Sequence, residues 1–401
     1  MQPRRIAMIL SNPFDNDPRV EKEALDLAAE GYAVTVVAWD RPGRSPVEEK
    51  RGGVAIHRIH VPSTFGRGAA QIPALLGFYR RAWRCCVHGG FDALHCHDLE
   101  TLALGVGLAL RLHIPLVFDA HEPSYYADAR RLRPLLRAAA VGLETALLPW
   151  AAAVLVTNEY QVRRYRRMRA RNVQLVANWP RPTLSKDRAV PRAGRPLTLG
   201  RVGALYHDMG VEELLEAHAL LRAEFPGLRL LLAGASTPEY EAHLRTLLHD
   251  TPDVSLQPGY AYADLPRLYA EIDVAVLPQK RTAWFRHITP TKFFEALAFG
   301  VPVLTTDIGG LGNLVRKHRC GDLLETVTAE EIAARVRPFL RDPVWRRAAG
   351  RAGREAVERE LNWEHSRRTL LETYRLLFDP AIATSRKPQD APSMLSREVL
   401  P

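Results

Sequence analysis

The sequence predicts an α/β protein of two domains, each built on a doubly wound parallel sheet. The chain has 401 residues, and chains of this length usually form two domains of ordinary size. An apolar run at 6–10, a helical pattern at 20–29 and a second apolar run at 33–38 follow one another. This strand–loop–helix–strand order is how a doubly wound sheet begins. A second such start, at 197–203, ends in a glycine turn and leads to a helical pattern at 211–221.

The remaining patterns continue this alternation through both halves of the chain. Apolar runs typical of buried strands recur at 54–61, 91–98, 114–122 with its exit loop, 154–157, 173–178, 228–233, 254–260, 274–277 and 301–304. The segment 180–196 is rich in proline and charge without periodicity, which indicates a linker. An amphipathic helix is predicted at 363–378, and the residues after about 380 have the composition of a disordered tail. We therefore expect domains at 1–183 and 184–362, a last helix at 363–379 and a tail at 380–401.

Composition limits the classes of partner and compartment. Hydrophobic residues make up 47% and charged residues 25% of the chain, which is ordinary for a globular protein. The formal net charge of +10 favours an anionic partner: a nucleotide-sugar, an anionic lipid surface or nucleic acid. No motif of a known nucleic-acid-binding module is present, so we do not expect nucleic acid to be bound.

The four cysteines lack metal-ligand spacing, and the adjacent pair Cys85 and Cys86 is poorly placed for a disulfide. The first apolar run is too short for a signal peptide, and no apolar stretch is long enough to cross a bilayer. We therefore expect a cytoplasmic protein.

Several polar groups follow predicted strands in the first half. His95 and His97 alternate onto one face of the strand at 91–98, which suggests a metal site, but no third ligand is evident. His97 and Asp98 more simply line a cleft at the carboxyl end of the sheet, where open α/β sheets bind ligands. His121 and Glu122 follow the next strand in the same way.

The segment Asp15-Asn16-Asp17 after the first strand allows two interpretations. It resembles a metal-binding Asp-x-Asp motif, or it caps the helix that begins near Pro18. Its position directly after strand one favours capping.

The most informative stretch runs from 289 to 310 and reads as loop, helix, turn and strand. Pro290 and Thr291 predict a helix start, with a hydroxyl available for capping. Free backbone N–H groups and the helix dipole at such a start suit a phosphate, and Lys292 adds a full positive charge. Glu295, one turn further, is placed to accept the hydroxyls of a ribose. The alternative is an ordinary helix with a solvated lysine and glutamate.

The segment 290–303, PTKFFEALAFGVPV, resembles the nucleotide-sugar segment of the retaining glycosyltransferases of family 4, which have the GT-B fold. The resemblance extends over roughly residues 5–378. It implies two Rossmann-like domains that face each other across a cleft, with the acceptor in the first and the nucleotide-sugar in the second. The last helix then crosses back onto the first domain, and neither a metal nor another cofactor is expected to be required.

The resemblance also implies roles for individual residues. Thr291 and Lys292 hold the phosphates, Glu295 holds the ribose, and Gly203 lets the backbone approach the diphosphate. His121 faces the donor sugar near the reacting carbon, with Glu122 beside it as the second catalytic candidate. Arg19, His97 and Asp98 lie on the acceptor side.

The chain departs from the family pattern at three positions. Ala204 and Met209 stand where the family often has an arginine and a lysine that neutralise the diphosphate. Lys292, His207 and Arg201 are candidate substitutes, and we count His207 among the donor-binding residues. His287 replaces a glutamate that many members carry, which we interpret as a mark of the subtype.

Basic runs at 75–84, 130–137 and 163–171 all lie in the first half. They are either solvated helix faces or a surface for anionic lipid head groups, with Tyr165 and Met168 interleaved in the densest run. A lipid-linked acceptor would lie on such a surface, and the protein would then be peripheral on the inner face of the plasma membrane.

The function implied is retaining transfer of a sugar from a nucleotide-sugar to a glycan or lipid-linked acceptor, in cell-surface polysaccharide or glycolipid synthesis. Domain closure would exclude water, which would otherwise hydrolyse the donor. Two alternatives remain: a nucleotide-sugar 2-epimerase, which needs no acceptor, and a non-catalytic binding protein, suggested by Ala204 and Met209. The sugar, base and acceptor are left open.

Overall fold

A computed structural model describes residues 2–15, 17–63, 68–121, 134–185, 194–249, 251–282, 284–285 and 288–379. Within these residues the strands form two separate sheets of eight and six strands. The first sheet contains Arg5–Leu10 (β1), Ala33–Asp40 (β2), Glu48–Arg51 (β3), Val54–His60 (β4), Ala93–His97 (β5), Leu116–Ala120 (β6), Ala153–Val156 (β7) and Val173–Leu175 (β8). Their order is β3-β4-β2-β1-β5-β6-β7-β8.

The short strand β3 is absent from the sequence prediction. It pairs antiparallel with β4, whereas the other neighbours in this sheet are parallel. Its residues, Glu-Glu-Lys-Arg, are exposed or half-buried and carry no apolar pattern. A charged strand of this kind protects the edge of a sheet from further pairing, and the same charge removes the periodicity by which a strand is predicted.

The second sheet is parallel throughout. It contains Thr198–Val202 (β9), Arg229–Gly234 (β10), Val254–Pro258 (β11), Val274–Leu277 (β12), Val303–Thr306 (β13) and Gly321–Leu324 (β14). The order is β11-β10-β9-β12-β13-β14. Both sheets are therefore doubly wound, as predicted, with the strand order reversing beside β1 and beside β9.

Helices cover both faces of each sheet. They are Pro18–Ala29 (α1), Ile72–His88 (α2), Leu99–Leu112 (α3), Pro134–Leu147 (α4), Glu159–Arg167 (α5), Val211–Arg222 (α6), Pro238–Leu248 (α7), Leu265–Ala270 (α8), Thr291–Ala298 (α9), Leu311–His318 (α10), Ala329–Arg341 (α11), Pro343–Arg359 (α12) and Trp363–Phe378 (α13). On the first sheet, α1 and α13 share one core, and α2, α3 and α5 share the core on the opposite face.

Helix α13 follows the second sheet in sequence but packs on the first. The Trp363 indole donates to the Asp26 carboxylate, and Ser366 Oγ donates to Ala177 O at 2.8 Å. Trp363 and Tyr374 are fully buried. The expected crossing of the last helix is thus present, and its apolar face closes the core beneath α1.

Two helix starts bear on the sequence interpretation. Asp17 caps α1 by accepting from Val20 N at 3.2 Å, which confirms the capping interpretation for this residue. Asp15 does not cap the helix and instead pairs with Arg58 Nη2 at 3.2 Å. Helix α9 begins at Thr291 with Pro290 as its N-cap, and no side chain caps it. The expected capping hydroxyl is therefore wrong, because Thr291 already lies inside the first turn.

Candidate functional site

The first half of the candidate site forms where α1 meets the carboxyl end of β6. Arg19 is buried, and its Nε and Nη2 donate to the two oxygens of Asp119 at 2.9 and 2.5 Å. Its Nη1 donates to Val176 O at 2.6 Å. A bidentate pair of this kind fixes both the position and the orientation of the carboxylate.

Asp119 in turn holds the two cleft histidines. Its Oδ2 lies 2.8 Å from His121 Nε2 and 3.2 Å from His97 Nδ1. Asp98 approaches from the other side, accepting from the His121 backbone N at 3.1 Å, with Oδ2 3.5 Å from His121 Nδ1. The structure thus brings together Arg19, His97, Asp98 and His121, all four of which the sequence predicted for this edge of the sheet.

Electrostatics determine what these groups can do. Burial opposes a charge on His121, but Asp98 and Asp119 raise its pKa to about 10. Burial lowers the pKa of His97, so this ring is neutral. Arg19 and His121 overcome burial and hold the pKa of Asp119 well below its usual range. His121 is therefore an imidazolium that donates hydrogen bonds and carries positive charge, and it does not act as a general base at neutral pH.

The backbone of Asp98 is strained. Its backbone φ is +62°, a conformation that residues other than glycine rarely adopt. Such strain, of order 1–3 kcal/mol, collects at functional sites, where the surrounding structure imposes it.

Two further acidic residues belong to this cluster and were not predicted from the sequence: Asp119 and Glu23. Glu23 is fully buried, 3.2 Å from Arg19 Nη2, and its Oε2 lies 3.8 Å from His95 Nε2. Burial and the nearby Asp119 raise the pKa of Glu23 to about 8. The sequence signal for Asp119 is its position at a strand end, two residues before His121. The only sequence signal for Glu23 is that it lies four residues after Arg19 on the same helix.

The structure also changes the expectation that His95 and His97 lack further metal ligands nearby. The sequence offers no third ligand to His95 and His97, but the fold brings Glu23 and Asp119 to them, with ligand atoms of all four within 4.8 Å of one another. Arg19 already supplies positive charge to both carboxylates. A cation would compete with this guanidinium, so we read the cluster as a charge network without a metal.

The second half of the candidate site combines the glycine turn after β9 with the start of α9. Gly203 has φ +120°, and a Cβ there would lie 2.9 Å from Lys292 Cγ, so only glycine fits beneath the lysine stem. Lys292 Nζ lies 2.9 and 3.0 Å from the two oxygens of Glu295 and 5.5 Å from the centre of the Tyr260 ring. Gly203, Thr291, Lys292 and Glu295 are thus neighbours, as predicted.

Met209, which departs from the family pattern, and the candidate substitutes His207 and Arg201 have different surroundings. Met209 is half-buried and packs against both cores of the second domain. His207 is largely exposed, and its Nδ1 lies 2.6 Å from Glu212 Oε1. Arg201 is buried at 2% exposure and donates from Nη2 to Ala204 O at 3.1 Å. Its Nε has no partner, and burial lowers the pKa of Arg201 to about 10.

The two halves meet across the linker. The Trp179 and Phe294 rings lie 6.3 Å apart, so the linker packs on α9. From α1, Lys22 Nζ donates to Asn178 Oδ1 at 2.9 Å and to Trp179 O at 2.8 Å. Burial lowers the pKa of Lys22 to about 7, and Glu295 of α9 is among the groups that oppose this shift. Glu295 of α9 therefore lies within electrostatic range of Lys22 on α1.

Three predicted features lie outside the described residues: Glu122, His287 and the tail after residue 380. Their roles stay predictions. No helix among the residues that the structure describes is long and apolar enough to span a membrane.

Comparison with known families decides the class of this site. A model of the glycosyl transferases group 1 matches residues 185–356, and a model of the glycosyl transferase 4-like domain matches residues 17–179. Together they cover the second sheet, all strands of the first sheet except β1, and both halves of the site. The chain belongs to the group 1 glycosyltransferases.

Individual relatives agree with this assignment. Glycogen synthase of Mycobacterium tuberculosis is 25% identical to this glycosyltransferase over 374 residues, which is 84% of the chain and 85% of the relative. Sucrose-phosphate synthase of Thermosynechococcus elongatus superposes with a TM-score of 0.76 at 21% identity, covering 94% of this chain and 99% of that one. HepE of Anabaena, solved with UDP-glucose, gives a TM-score of 0.70 at 14% identity and covers 92% and 99%. The fold is GT-B, and the protein is a transferase enzyme of the glycosyl-transferring class.

Proposed function

We propose that this glycosyltransferase moves a sugar, with retention, from a nucleoside-diphosphate sugar to a glycan or lipid-linked acceptor in cell-surface polysaccharide or glycolipid synthesis. The observation that carries the proposal is the convergence of Gly203, Lys292 and Glu295 on one spot of the second domain, at the helix α9 that packs against Trp179. The structural neighbour bound to UDP-glucose supports a nucleotide-sugar as donor. Retention rests on the resemblance to family 4.

In the proposed donor site, Lys292 and Glu295 pair with each other until the donor binds to both. In the free protein, both oxygens of Glu295 accept from Lys292 Nζ. A bound diphosphate takes over the lysine charge, and the carboxylate is then free to accept two ribose hydroxyls. Backbone N–H groups at the start of α9 add to the binding of the phosphates.

Arg201 supplies the positive charge that Ala204 and Met209 do not provide. The other arginines buried below 4% exposure, Arg19 and Arg58, each form ion pairs with two carboxylates. Among the described residues, no carboxylate lies within ion-pair distance of Arg201, whose electrostatic neighbours are tyrosines. An unpaired buried charge is costly, and an anion bound at the adjacent Gly203 turn would relieve that cost.

On the opposite side of the cleft, His121 contributes electrostatically. Negative charge builds on the departing diphosphate while the anomeric carbon becomes positive. A fixed imidazolium and the carboxylates around it are ready-made partners for these charges and need no reorganisation during the reaction. The cluster joins six residues from α1 and from the carboxyl ends of β5 and β6, so its orientation does not depend on one contact.

A lipid-linked acceptor fits the outer face of the first domain. Helices α4 and α5 are tied together by Glu144, which accepts from Arg164 Nη2 at 2.7 Å and from Tyr165 Oη at 2.5 Å. The expected place of Tyr165 on a lipid surface is therefore wrong, because the ring is buried. The same face nevertheless exposes apolar side chains beside arginines: Leu135, Leu136, Leu143, Trp150, Tyr160, Arg163, Arg166, Arg167, Arg169 and Arg171.

The proposal is tested first by ligand and product. A thermal-shift panel of nucleoside diphosphates and their sugars identifies the donor, because a ligand that binds the native state raises the melting temperature. The matched donor is then incubated with and without acceptor extracts, and the anomeric configuration of the product is read by NMR. We expect an α- or β-product that retains the donor configuration. An epimerised donor formed without acceptor, or no binding of any nucleotide, would reject the proposal.

The role of Arg201 has its own test. We expect Arg201→Gln to weaken binding of the matched nucleoside diphosphate at least tenfold and to leave binding of the nucleoside without phosphates nearly unchanged. Arg195→Gln is the matched control, because Arg195 precedes the opposite end of β9, where it pairs with Asp273 at 2.7 Å. Equal losses for the nucleoside and its diphosphate would show that Arg201 only supports the loop.

A further inference from the structure

A second cluster of metal-ligand side chains lies on the glycine loop itself. His207 is in the turn before α6, Glu212 is in the first turn of α6, and His243 is on α7. Glu212 Oε1 lies 2.6 Å from His207 Nδ1 and 3.7 Å from His243 Nε2. One ligand atom of each residue lies within 4.8 Å of those of the other two.

The charge around this cluster differs from that of the buried cluster on β5 and β6. There, Arg19 compensates the carboxylates. Here, both Glu212 oxygens are shielded from solvent. Lys280 pairs with the neighbouring Glu213 instead, with its Nζ 2.6 Å from Glu213 Oε1. Among the described residues, only the two imidazoles are in ion-pair range of Glu212. When both rings are neutral, the carboxylate has no positive partner.

The two histidines have the freedom and the support that ligands need. The side chain of His207 is 67% exposed and that of His243 is 44% exposed. Small movements can therefore lengthen the 2.6 Å distance between His207 Nδ1 and Glu212 Oε1 to that between two ligands of one ion. The Tyr240 ring packs edge-on against His207 at 4.5 Å between centroids and limits the orientation of that ring. An open side facing solvent is left for water or another ligand.

We propose that His207, Glu212 and His243 form a binding site for a divalent transition-metal ion of the Zn²⁺ class. Two imidazole nitrogens and one carboxylate oxygen select such ions over Mg²⁺ or Ca²⁺, which prefer all-oxygen sites. The ion ties the glycine loop to α7 and adds positive charge to a loop that lacks the two family cations. The site does not rest on the proposed function, because ion binding is measured without a nucleotide.

The test uses the full chain without an affinity tag, after treatment with a chelator, at pH 8. Zn²⁺ binding is measured by calorimetry, and Co²⁺ is added as a probe whose visible absorption reports nitrogen and oxygen ligands. We expect one Zn²⁺ per chain, with affinity at least tenfold lower in His207→Gln and in His243→Gln. His249→Gln is the matched control: His249 follows the same helix α7 outside the cluster, and this variant is expected to bind like the unchanged protein.

The thermal stability of each variant without metal shows whether the fold is intact. Zn²⁺ should raise the melting temperature of the unchanged chain and not that of the double variant His207→Gln/His243→Gln. The proposal is overturned if the unchanged chain binds no Zn²⁺, or if the double variant binds it as tightly. If His95→Gln abolishes Zn²⁺ binding and the double variant does not, the ion is bound by the buried cluster instead. That result would also overturn the proposal.

Discussion

At the residue scale, one carboxylate organises the first half of the site. Asp119 accepts from Arg19 on α1 and contacts His97 and His121 on two neighbouring strand ends. Each of these groups is charged or polar and buried, so each depends on the others for its stability. This half of the site is therefore a network in which single substitutions have large effects.

Replacement of Asp119 measures that dependence. We expect Asp119→Asn to lower the free energy of unfolding by about 3–5 kcal/mol, because Arg19 and His121 lose their main counter-charge inside the protein. Urea denaturation provides the measurement. Asp92→Asn is the control, since the Arg4–Asp92 pair is exposed and should contribute less than about 1 kcal/mol. A loss for Asp119→Asn as small as that of the control would contradict the network.

The raised pKa of His121 predicts a pH dependence with a definite sign. A histidine has a pKa of about 6.5 in an unfolded chain, and His121 has about 10 in the folded one. Its contribution to stability is complete below about pH 6.5 and is lost as the pH rises towards 10. Stability of the unchanged protein should therefore fall more steeply between pH 7 and 10 than that of His121→Gln. Parallel curves for the two proteins would show that His121 is not charged.

At the scale of elements, α13 connects the two domains without belonging to the sheet that precedes it. Trp363 lies at its start and bonds to Asp26 of α1, while Tyr374 Oη lies 3.0 Å from His95 Nδ1 near its end. This second contact joins the helix to the buried Glu23–His95 pair. The helix therefore supports both the core of the first domain and the inner layer of the site.

Truncation of Trp363 tests how much the first domain depends on this helix. We expect Trp363→Ala to lower the free energy of unfolding by about 3–5 kcal/mol, through lost burial and the cavity that remains. Trp150→Ala is the matched control: Trp150 is 54% exposed, and its loss should change stability by no more than about 0.5 kcal/mol. Equal effects would mean that α13 is only loosely attached.

At the scale of the whole molecule, the densest basic run of the chain, 163–171, lies on the first domain. The exposed arginines of α5 and the segment after it stand beside the exposed leucines of α4, whereas the donor loop is on the other domain. A membrane would then hold the acceptor-binding domain and leave the donor-binding domain free to open and close. This arrangement suits a donor from solution and an acceptor in a lipid layer.

Vesicle binding tests this arrangement. We expect the triple variant of Arg163, Arg166 and Arg167 to serine to bind vesicles rich in anionic lipid on the order of one hundredfold more weakly, at about 1 kcal/mol per arginine. Binding should also fall with salt. The control removes three exposed arginines of α12, Arg347, Arg351 and Arg359. If both triple variants bind equally, net charge alone explains the attraction.

Much of the fold could be predicted because its signals are local. The apolar runs, the glycine turn at Gly203 and the helix start at Thr291 each occupy one short segment, and β12 and α13 begin and end where predicted. The grouping of Lys292 with Glu295 could be predicted for the same reason, since the two are three residues apart on one helix. The charged edge strand β3 was missed because it lacks the apolar alternation on which strand prediction depends.

By itself, the sequence determined the two α/β domains and the grouping of Gly203, Lys292 and Glu295, because periodicity and turn chemistry act between near neighbours. Only the tertiary structure decided the buried network around Asp119, the burial of Tyr165 and the partners of His207. Arg19 and Asp119 are 100 positions apart, and their pairing is created by the parallel order of strands, which leaves no periodic trace in either segment. A buried charge finds its partner through the fold, and so its environment becomes visible only when the sheets are assembled.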